Sequence, residues 1–268
     1  MIKLQDLLEG IITEGVLDKS ILKCVFMAGG PGSGKSYVSK EIFGMPKETS
    51  VSTSYDMKVV NSDREFEYLL GQFGLETGGW ETLDIDQWPE EVYQMATGVD
   101  SQGNKVDSDM MSIRDKSKAI TNRRLKQYTK GRLGIIIDGT GHNYSKLSTK
   151  KKEMEHMGYD CYMVAVNTSL EVAKMRNQTR KRALPEDLLE KSWNDVQQNL
   201  GKFQSLFRAN FKIVDNSKFL KPEHARNKFA KIMGDGIDDF IKKPVKNPIG
   251  KTWIKNQKRM IKNKKRFK

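Results

Sequence analysis

Glycines, a lysine and a serine stand at a characteristic spacing near the start of this 268-residue sequence. Gly29, Gly30, Pro31, Gly32, Ser33, Gly34, Lys35 and Ser36 fit the pattern G-x-x-x-x-G-K-[ST] at every fixed position. Glycines adopt backbone angles that other residues avoid, so successive N–H groups can turn toward a phosphate. Lys35 would bring its charge to the β- and γ-phosphate oxygens, and the Ser36 hydroxyl would bind magnesium. The pattern therefore predicts a nucleoside triphosphate site.

The segments on either side of this loop have the periodicities that it requires. Residues 21–28 form a short apolar run bounded by glycine, which is typical of a strand buried in a parallel sheet. After the loop, Val38, Ile42 and Phe43 share one helical face, and Gly44 and Pro46 end the helix. The order strand, loop, helix favours a phosphate-binding loop over a glycine-rich turn that meets the pattern by chance.

Two aspartates close further predicted strands, at residues 58–63 and 133–138. Ligands of open α/β sheets bind outside the carboxyl ends of the strands, so Asp63 and Asp138 should face the same crevice as the loop. Asp138 is placed to hold magnesium through water. Asp63 is free to accept the proton of a hydroxyl that attacks the γ-phosphate, as a general base. The alternative for each acid is a structural role, capping the helix that follows.

A basic segment, residues 175–182, follows the next predicted strand. Phosphoryl transfer spreads negative charge over the moving group, and a kinase must bring cations to it. Arg176 and Arg180 are four residues apart and share a helical face that could close as a lid. The alternative is a solvated helical surface.

Strands and helices alternate through the middle of the chain, with further predicted strands at residues 161–166 and 211–215, which predicts a parallel sheet with right-handed crossovers. We expect an amphipathic helix in residues 1–19 and a central domain in 20–220. That domain would contain a helical substrate insertion at about 65–130 and a lid at about 170–190. Residues 221–268 would add a terminal helix and a basic arm, whose order the sequence leaves open.

Several of these motifs, taken in order, resemble the P-loop kinases grouped as polynucleotide 5′-kinases and zeta-toxin-like kinases. They are the glycine loop, Asn61-Ser62-Asp63, Asp138-Gly139-Thr140-Gly141, Arg176-Asn177-Gln178-Thr179-Arg180 with the following Leu184-Pro185-Glu186, and Val214-Asp215-Asn216-Ser217. The resemblance covers about residues 20–218 and implies an α/β fold, the P-loop NTPase three-layer sandwich with a five-stranded parallel sheet. It implies ATP and Mg²⁺ as cofactors, Asp63 as the base, Arg176 and Arg180 as lid arginines, and Asn216 among the nucleotide-binding residues.

The sequence departs from that family at the position that would choose the acceptor. Polynucleotide 5′-kinases tend to place an arginine three residues past the base, where this chain has Phe66. Arg64, or the predicted basic helix that carries Arg114, Arg123 and Arg124, could substitute for it. The residues with which zeta toxins hold an activated amino sugar cannot be matched in the insertion either. The identity of the acceptor is therefore left open.

The net charge of +13 is concentrated at the C-terminus, because residues 242–268 hold twelve Lys and Arg and no acid. Such an arm binds nucleic acid through its phosphates, and Trp253 within it can stack on a base. A solvated tail and a helix on a membrane surface are the alternatives. In the insertion, Trp80, Trp88 and Tyr93 could likewise stack on a base or close a small core.

Other features bear on where the protein works. No apolar run approaches the roughly 18 residues that span a bilayer, and the N-terminus lacks a signal-peptide core, so we expect a cytoplasmic protein. Cys24 and Cys161 fall in predicted strands and are typical of reduced core residues. Leu7-Leu8-Glu9-Gly10 resembles the sites at which tailed-phage prohead proteases cut, which favours a phage origin, with the host cytoplasm or the virion as its location.

These observations together predict an ATP-dependent kinase that phosphorylates a hydroxyl, with the 5′-hydroxyl of a polynucleotide end as the first expectation. A kinase of a nucleotide sugar or a nucleotide is the alternative within enzymes. From another class, a nucleic-acid-binding or virion-associated ATPase would keep the loop without transferring phosphate to an acceptor. The oligomeric state is not predicted.

Overall fold

The computed structural model describes residue 16 and residues 18–45, 53–73, 88–102, 104–106, 110–179, 184–218, 224, 227–228, 231–232 and 236–266. Some predictions fall outside the described residues. They are the N-terminal amphipathic helix up to residue 15, Trp80, Arg180 and most of the segment expected to form a helix at 221–241.

Strands and helices alternate along the described chain as the sequence predicts. In order they are β1 (Lys23–Ala28), α1 (Lys35–Phe43), β2 (Lys58–Val60), α2 (Ser62–Gln72), α3 (Glu90–Thr97), α4 (Ile113–Lys130), β3 (Ile135–Asp138), α5 (Tyr144–His156), β4 (Asp160–Asn167), α6 (Leu170–Gln178), α7 (Glu186–Phe207), β5 (Phe211–Asp215), α8 (Asp238–Lys242) and α9 (Pro248–Arg266). A turn of 3-10 helix, Arg208–Asn210, leads into β5.

The five strands form one parallel sheet in the order β2-β3-β1-β4-β5, which confirms the predicted α/β architecture. The central strand β1 is buried along its whole length. In register, Met27 of β1 faces Asp138 of β3 on one side and Val164 of β4 on the other. Because all strands run the same way, their carboxyl ends meet at one edge of the sheet, and the glycine loop leaves β1 at that edge.

Two apolar layers cover the sheet, as the alternation of side chains along a strand requires. Val25 and Met27 point into one layer, beside Val38 of α1. Cys24 and Phe26 point into the other, which includes Phe203 of α7. Cys24 and Cys161 face each other in register as buried free thiols. Burial raises the pKa of the Cys24 thiol, which keeps it unreactive.

The chain between β2 and β3 forms the helices α2, α3 and α4 around a small core of its own. That core contains Phe66, Leu70, Trp88, Ala96 and Ile113, with Tyr93 packed against it. Trp88 is therefore a core residue of the insertion and not a platform for a base.

The segment that carries Asp63 differs from the prediction in its local structure. Strand β2 ends at Val60, and Asp63 lies in the first turn of α2. The reason is a helix cap: the Asn61 side chain accepts a hydrogen bond from the backbone N–H of Asp63 at 2.8 Å and starts the helix there. The side chain that caps α2 is thus the Asn61 amide and not the Asp63 carboxylate.

The basic arm is helical through residue 266 and docks on the amino-terminal edge of the sheet, opposite the glycine loop. Trp253 and Ile254 pack against the second apolar layer, and the Arg132 guanidinium lies 5.9 Å from the centroid of the Trp253 ring. The interpretation of Trp253 as a base-stacking side chain is corrected, because its ring is used to dock the helix. No helix in the described part of the chain is long and apolar enough to cross a membrane.

Candidate active site

The glycine loop begins where β1 ends and closes against neighbouring helices. Gly32 and Gly34 have positive φ angles of 72° and 77°, which glycine adopts without strain. A side chain at Gly32 would overlap the backbone of Ala173, and one at Gly30 would meet Trp193 at 3.4 Å. Gly34 caps α1, so the unpaired N–H groups of the first helical turn face the loop. This arrangement can bind an anion such as a phosphate.

Asn216 and Arg176 hold the glycine loop in place through hydrogen bonds. Asn216 donates from Nδ2 to the carbonyl oxygen of Ser33 at 2.8 Å. Arg176 donates to the carbonyl oxygens of Gly32 at 3.3 Å and Ser33 at 3.4 Å, and to that of Asn216 at 2.9 Å. Burial lowers the pKa of Arg176, although a guanidinium stays protonated at neutral pH. In this structure both residues support the loop, and their predicted contacts with ATP stay predictions.

Lys35 and Asp138 face each other at the centre of the crevice. The Lys35 Nζ lies 2.6 Å from Asp138 Oδ1, and the Asp138 side chain has no solvent exposure. Asp138 Oδ1 has no hydrogen-bond partner among the described residues, so its contact with Lys35 is an ion pair. The other carboxylate oxygen, Oδ2, accepts a hydrogen bond from Asn61 Nδ2 at 2.6 Å.

The Asn61 amide joins the two predicted acids. Its Nδ2 donates to Asp138, while its Oδ1 accepts from the backbone N–H of Asp63. The Asp63 carboxylate itself is 46% exposed, and its Oδ1 lies 2.7 Å from Nη1 of Arg114. One acid is therefore buried beside the loop lysine, and the other is accessible at the same edge of the sheet.

Arg114 is held beside Asp63 by a second contact, since its guanidinium lies 5.1 Å from the centroid of the Phe66 ring. Of the arginines considered for the acceptor, Arg124 pairs instead with Glu65, and Arg123 is exposed on the same helix α4. A cavity of about 270 Å³ opens next to this group. Its lining includes Asn61, Arg64, Glu65, Tyr68 and Arg124.

The residues predicted to hold magnesium fit that ion. Ser36 is the second residue of α1 and is exposed, and the Asp138 carboxylate lies beside the loop lysine. Magnesium takes oxygen ligands, usually one or two protein groups together with substrate phosphates. A hydroxyl and a carboxylate at the edge of a phosphate-binding loop are a donor set of this kind.

Sequence reasoning identified the loop and both acids but not the residues that connect them. Asn61 was visible only as part of the motif before Asp63, and its amide reaches Asp138 across 77 positions. Arg114 was one of several candidate cations, and its partner could not be named. A polar residue directly after a strand and directly before a helix was the available signal for Asn61.

Comparison with known proteins adds a family. Residues 24–203 match the family described as AAA domain. The matched range covers about two thirds of the chain and includes the glycine loop, both acids and Arg176. No curated protein matches the chain.

The chain also matches solved structures at low sequence identity. One chain of the AvrRxo1-ORF1:AvrRxo1-ORF2 structure with sulphate ions has 12% identity and a TM-score of 0.43, and the match covers 80% of this chain and 63% of that one. The structure of the PezAT toxin-antitoxin system of Streptococcus pneumoniae has 10% identity and a TM-score of 0.43, and the match covers 91% of this chain and 99% of that one. Shikimate kinase from Acinetobacter baumannii in complex with shikimate has 14% identity and a TM-score of 0.40, and the match covers 84% of this chain and 98% of that one. The chain spans less than two thirds of the length of the AvrRxo1 chain.

Proposed function

Since the chain belongs to the AAA domain family over residues 24–203 and has a P-loop kinase-like fold, we propose that it is an ATP-dependent kinase that phosphorylates a hydroxyl group. The observation that carries the proposal is the Asn61 bridge. A single amide holds a buried acid beside the phosphate-binding lysine and starts the helix that presents an accessible acid. A nucleotide site next to a general base is what transfer to a hydroxyl requires.

The glycine loop and Lys35 would bind the nucleotide. In the proposed mechanism the loop N–H groups bind the β-phosphate, and Lys35 moves from Asp138 to the β- and γ-phosphate oxygens. Ser36 and Asp138 would hold Mg²⁺, which neutralises charge on those oxygens when it is bound. Arg176, and Arg180 from the lid, would stabilise the charge that develops on the transferring group.

The acceptor half falls to Asp63. Its carboxylate takes the proton from the acceptor hydroxyl while the new oxygen–phosphorus bond forms and the bond to the β-phosphate oxygen breaks, which leaves ADP. Arg114 orients the carboxylate through their 2.7 Å contact and places a cation beside the reacting hydroxyl. An acceptor that carries a phosphate near its hydroxyl would use this cation.

The 5′-hydroxyl of a polynucleotide end fits this charge, and it is our first candidate for the acceptor. A small acceptor such as a nucleotide or a nucleotide sugar is the second candidate. The cavity of about 270 Å³ beside Asn61 favours it, since this volume is near the lower end of small-molecule sites.

The test is transfer of labelled γ-phosphate from ATP with Mg²⁺ to 5′-hydroxyl RNA, 5′-hydroxyl DNA, nucleoside monophosphates and nucleotide sugars. Asp63→Asn should lower transfer by at least about a thousandfold and leave ATP affinity nearly unchanged. Asp115→Asn is the matched control, because Asp115 is 44% exposed and also lies in the first turn of a helix. An active Asp63→Asn enzyme would contradict the role of the base. A protein that binds ATP and labels no acceptor would be an ATPase or a binding protein.

A further inference from the structure

A second candidate site lies at the edge of the sheet opposite the glycine loop. A cavity of about 950 Å³ opens there, below the first residues of β1, β4 and β5. Basic side chains outnumber acidic ones in its lining by six to three. Arg208, Lys212 and Lys246 are among the basic ones. We call this cavity the amino-edge cleft.

Helix α9 continues the positive charge of the amino-edge cleft. The loop that forms one wall of the cleft, with Lys246 and Asn247, leads directly into the helix. Pro248–Arg266 contains eight Lys and Arg and no acid. Like charges on neighbouring turns of a helix repel each other, and the helix has no acid of its own to offset that repulsion.

Specific hydrogen bonds nevertheless fix the start of this helix on the sheet. The Asp160 carboxylate accepts hydrogen bonds from the backbone N–H groups of Lys246 and Asn247, both at 2.8 Å, and from Lys23 Nζ at 3.0 Å. The Asn247 side chain donates to the carbonyl oxygens of Glu155 and Tyr159. The cationic helix is therefore presented in one orientation beside the cleft.

We propose that α9 and the amino-edge cleft bind the phosphate backbone of a nucleic acid. Lys255, Lys258, Arg259 and Lys262 are exposed, and within the described residues none of them forms an ion pair. Their charges are available for phosphates, and the basic cleft at the start of the helix can follow a single strand. A membrane surface fits less well, because Trp253 and Ile254 of the apolar face already pack on the core.

The backbone at Arg208 supports a functional cleft. Arg208 ends α7 with φ 53° and ψ −121°, a conformation that favours glycine, yet an exposed arginine occupies it. Arg208→Gly should relieve this strain and raise the unfolding midpoint while it weakens nucleic-acid binding. Arg208→Lys should retain binding and show no gain in stability. An Arg208→Gly variant that is more stable but binds DNA more weakly would show that Arg208 serves binding. A variant that loses both stability and binding would indicate a structural role.

The test uses the full chain and a fluorescein-labelled single-stranded DNA of about 25 nucleotides, long enough to exceed one binding site. The DNA carries a 5′-phosphate, so it is not an acceptor. Replacing Lys255, Lys258, Arg259 and Lys262 by glutamine should weaken binding at least about tenfold. It should also reduce the slope of log K against log salt by about 0.7 for each phosphate that the variant no longer neutralises. Circular dichroism would verify that the variant is folded.

A matched variant, the α4 variant, replaces four exposed lysines of α4 and the loop before it, Lys105, Lys118, Lys126 and Lys130, by glutamine and changes the net charge equally. It should bind DNA nearly as the original protein does. Equal weakening in both variants would reduce the effect to net charge and overturn the proposal, as would an unchanged α9 variant. Binding to vesicles of anionic phospholipid without binding to DNA would assign the helix to membranes instead. Asp63→Asn should bind DNA normally, so this result is independent of the proposed kinase reaction.

Discussion

The Nζ atom of Lys35 lies 2.6 Å from Oδ1 of Asp138, and the Asp138 side chain is inaccessible to solvent. The loop lysine thus has a buried carboxylate as its partner. Taking a carboxylate out of water is costly unless a cation or hydrogen bonds compensate it. Asn61 supplies one hydrogen bond, and Lys35 supplies the charge. If Lys35 binds the phosphates of ATP as proposed, it must leave this ion pair to do so.

Lys35→Met should destabilise the nucleotide-free protein as well as inactivate it. The substitution leaves the buried Asp138 carboxylate without its cation, which costs about 3 kcal/mol. Asp138→Asn in the same chain removes the charge and should restore most of the free energy of unfolding, while transfer stays absent. Urea unfolding of the two single variants and the double variant measures this. If Lys35→Met is as stable as the original protein, the pair does not compensate the buried charge.

Arg114→Gln should impair the acceptor half of the reaction selectively. Arg114 contacts Asp63, and we expect kcat/KM to fall about 10- to 100-fold with a phosphate-bearing acceptor and the Kd for ATP to stay unchanged. Arg124 lies on the same helix but pairs with Glu65, so Arg124→Gln should lower kcat/KM several-fold less. Steady-state kinetics on both variants decide this. Equal losses in the two would show that Arg114 has no special relation to the acceptor.

Arg176→Ala should weaken ATP binding, because Arg176 donates to the carbonyl oxygens of Gly32 and Ser33 and holds the loop. Losing charged hydrogen bonds of this kind costs about 1.5–3 kcal/mol, which is roughly a 10- to 100-fold rise in Kd. Arg176→Lys should not restore affinity, since lysine lacks the planar fork that reaches several acceptors at once. Calorimetric titration with ATP measures the Kd. An unchanged Kd with a lower kcat would mean that Arg176 acts on the transferring phosphate alone and does not hold the loop for ATP binding.

Local patterns were sufficient to predict the sheet, because a buried strand or an amphipathic helix is encoded by neighbouring residues. The glycine loop and Asp138 followed from the same logic, since the loop comes after β1 and Asp138 is the last residue of β3. Asp63 was placed on the correct edge but in the wrong element. A side-chain cap by Asn61 ends β2 early, and such a cap has the same residue types as a turn.

Long-range pairings could not be predicted from one sequence. The contact of Asp160 with Asn247 spans 87 positions, and it decides that the basic arm is a docked helix at the amino edge. The contact of Arg132 with the Trp253 ring is equally long-range. No local pattern links the loop before β3 to the C-terminal helix. The partner of Asp63 was equally hidden, because the basic residues of α4 look alike in sequence.

Gly250→Ala should test whether α9 is rigidly docked. A β-carbon at Gly250 would overlap the carbonyl oxygen of Gly158 and lie 2.9 Å from Cγ1 of Val245, so the helix must shift. We expect a loss of about 1–3 kcal/mol in the free energy of unfolding, typical of overpacking. Gly201→Ala, within α7 and with nothing within 4 Å of the new β-carbon, should instead gain up to about 1 kcal/mol. Denaturant unfolding gives both values, and equal gains would mean that α9 is not held against Gly158.

Neutralising α9 should affect long polynucleotide acceptors and spare short ones. The amino-edge cleft and the glycine loop lie at opposite ends of the strands, and β4 has eight residues, which at about 3.3 Å each separates the two edges by roughly 25 Å. At the spacing of about 3.4 Å in duplex DNA, roughly seven nucleotides cover this distance, and a stretched single strand needs fewer, but a trinucleotide is too short to reach both sites. The α9 variant should therefore raise KM for longer acceptors, leave it unchanged for a trinucleotide, and preserve kcat. Measuring KM against acceptor length, with the α4 variant as control, tests this. An equal rise at every length would place α9 at the crevice, and no rise at any length would mean that the nucleic acid bound there is not the acceptor.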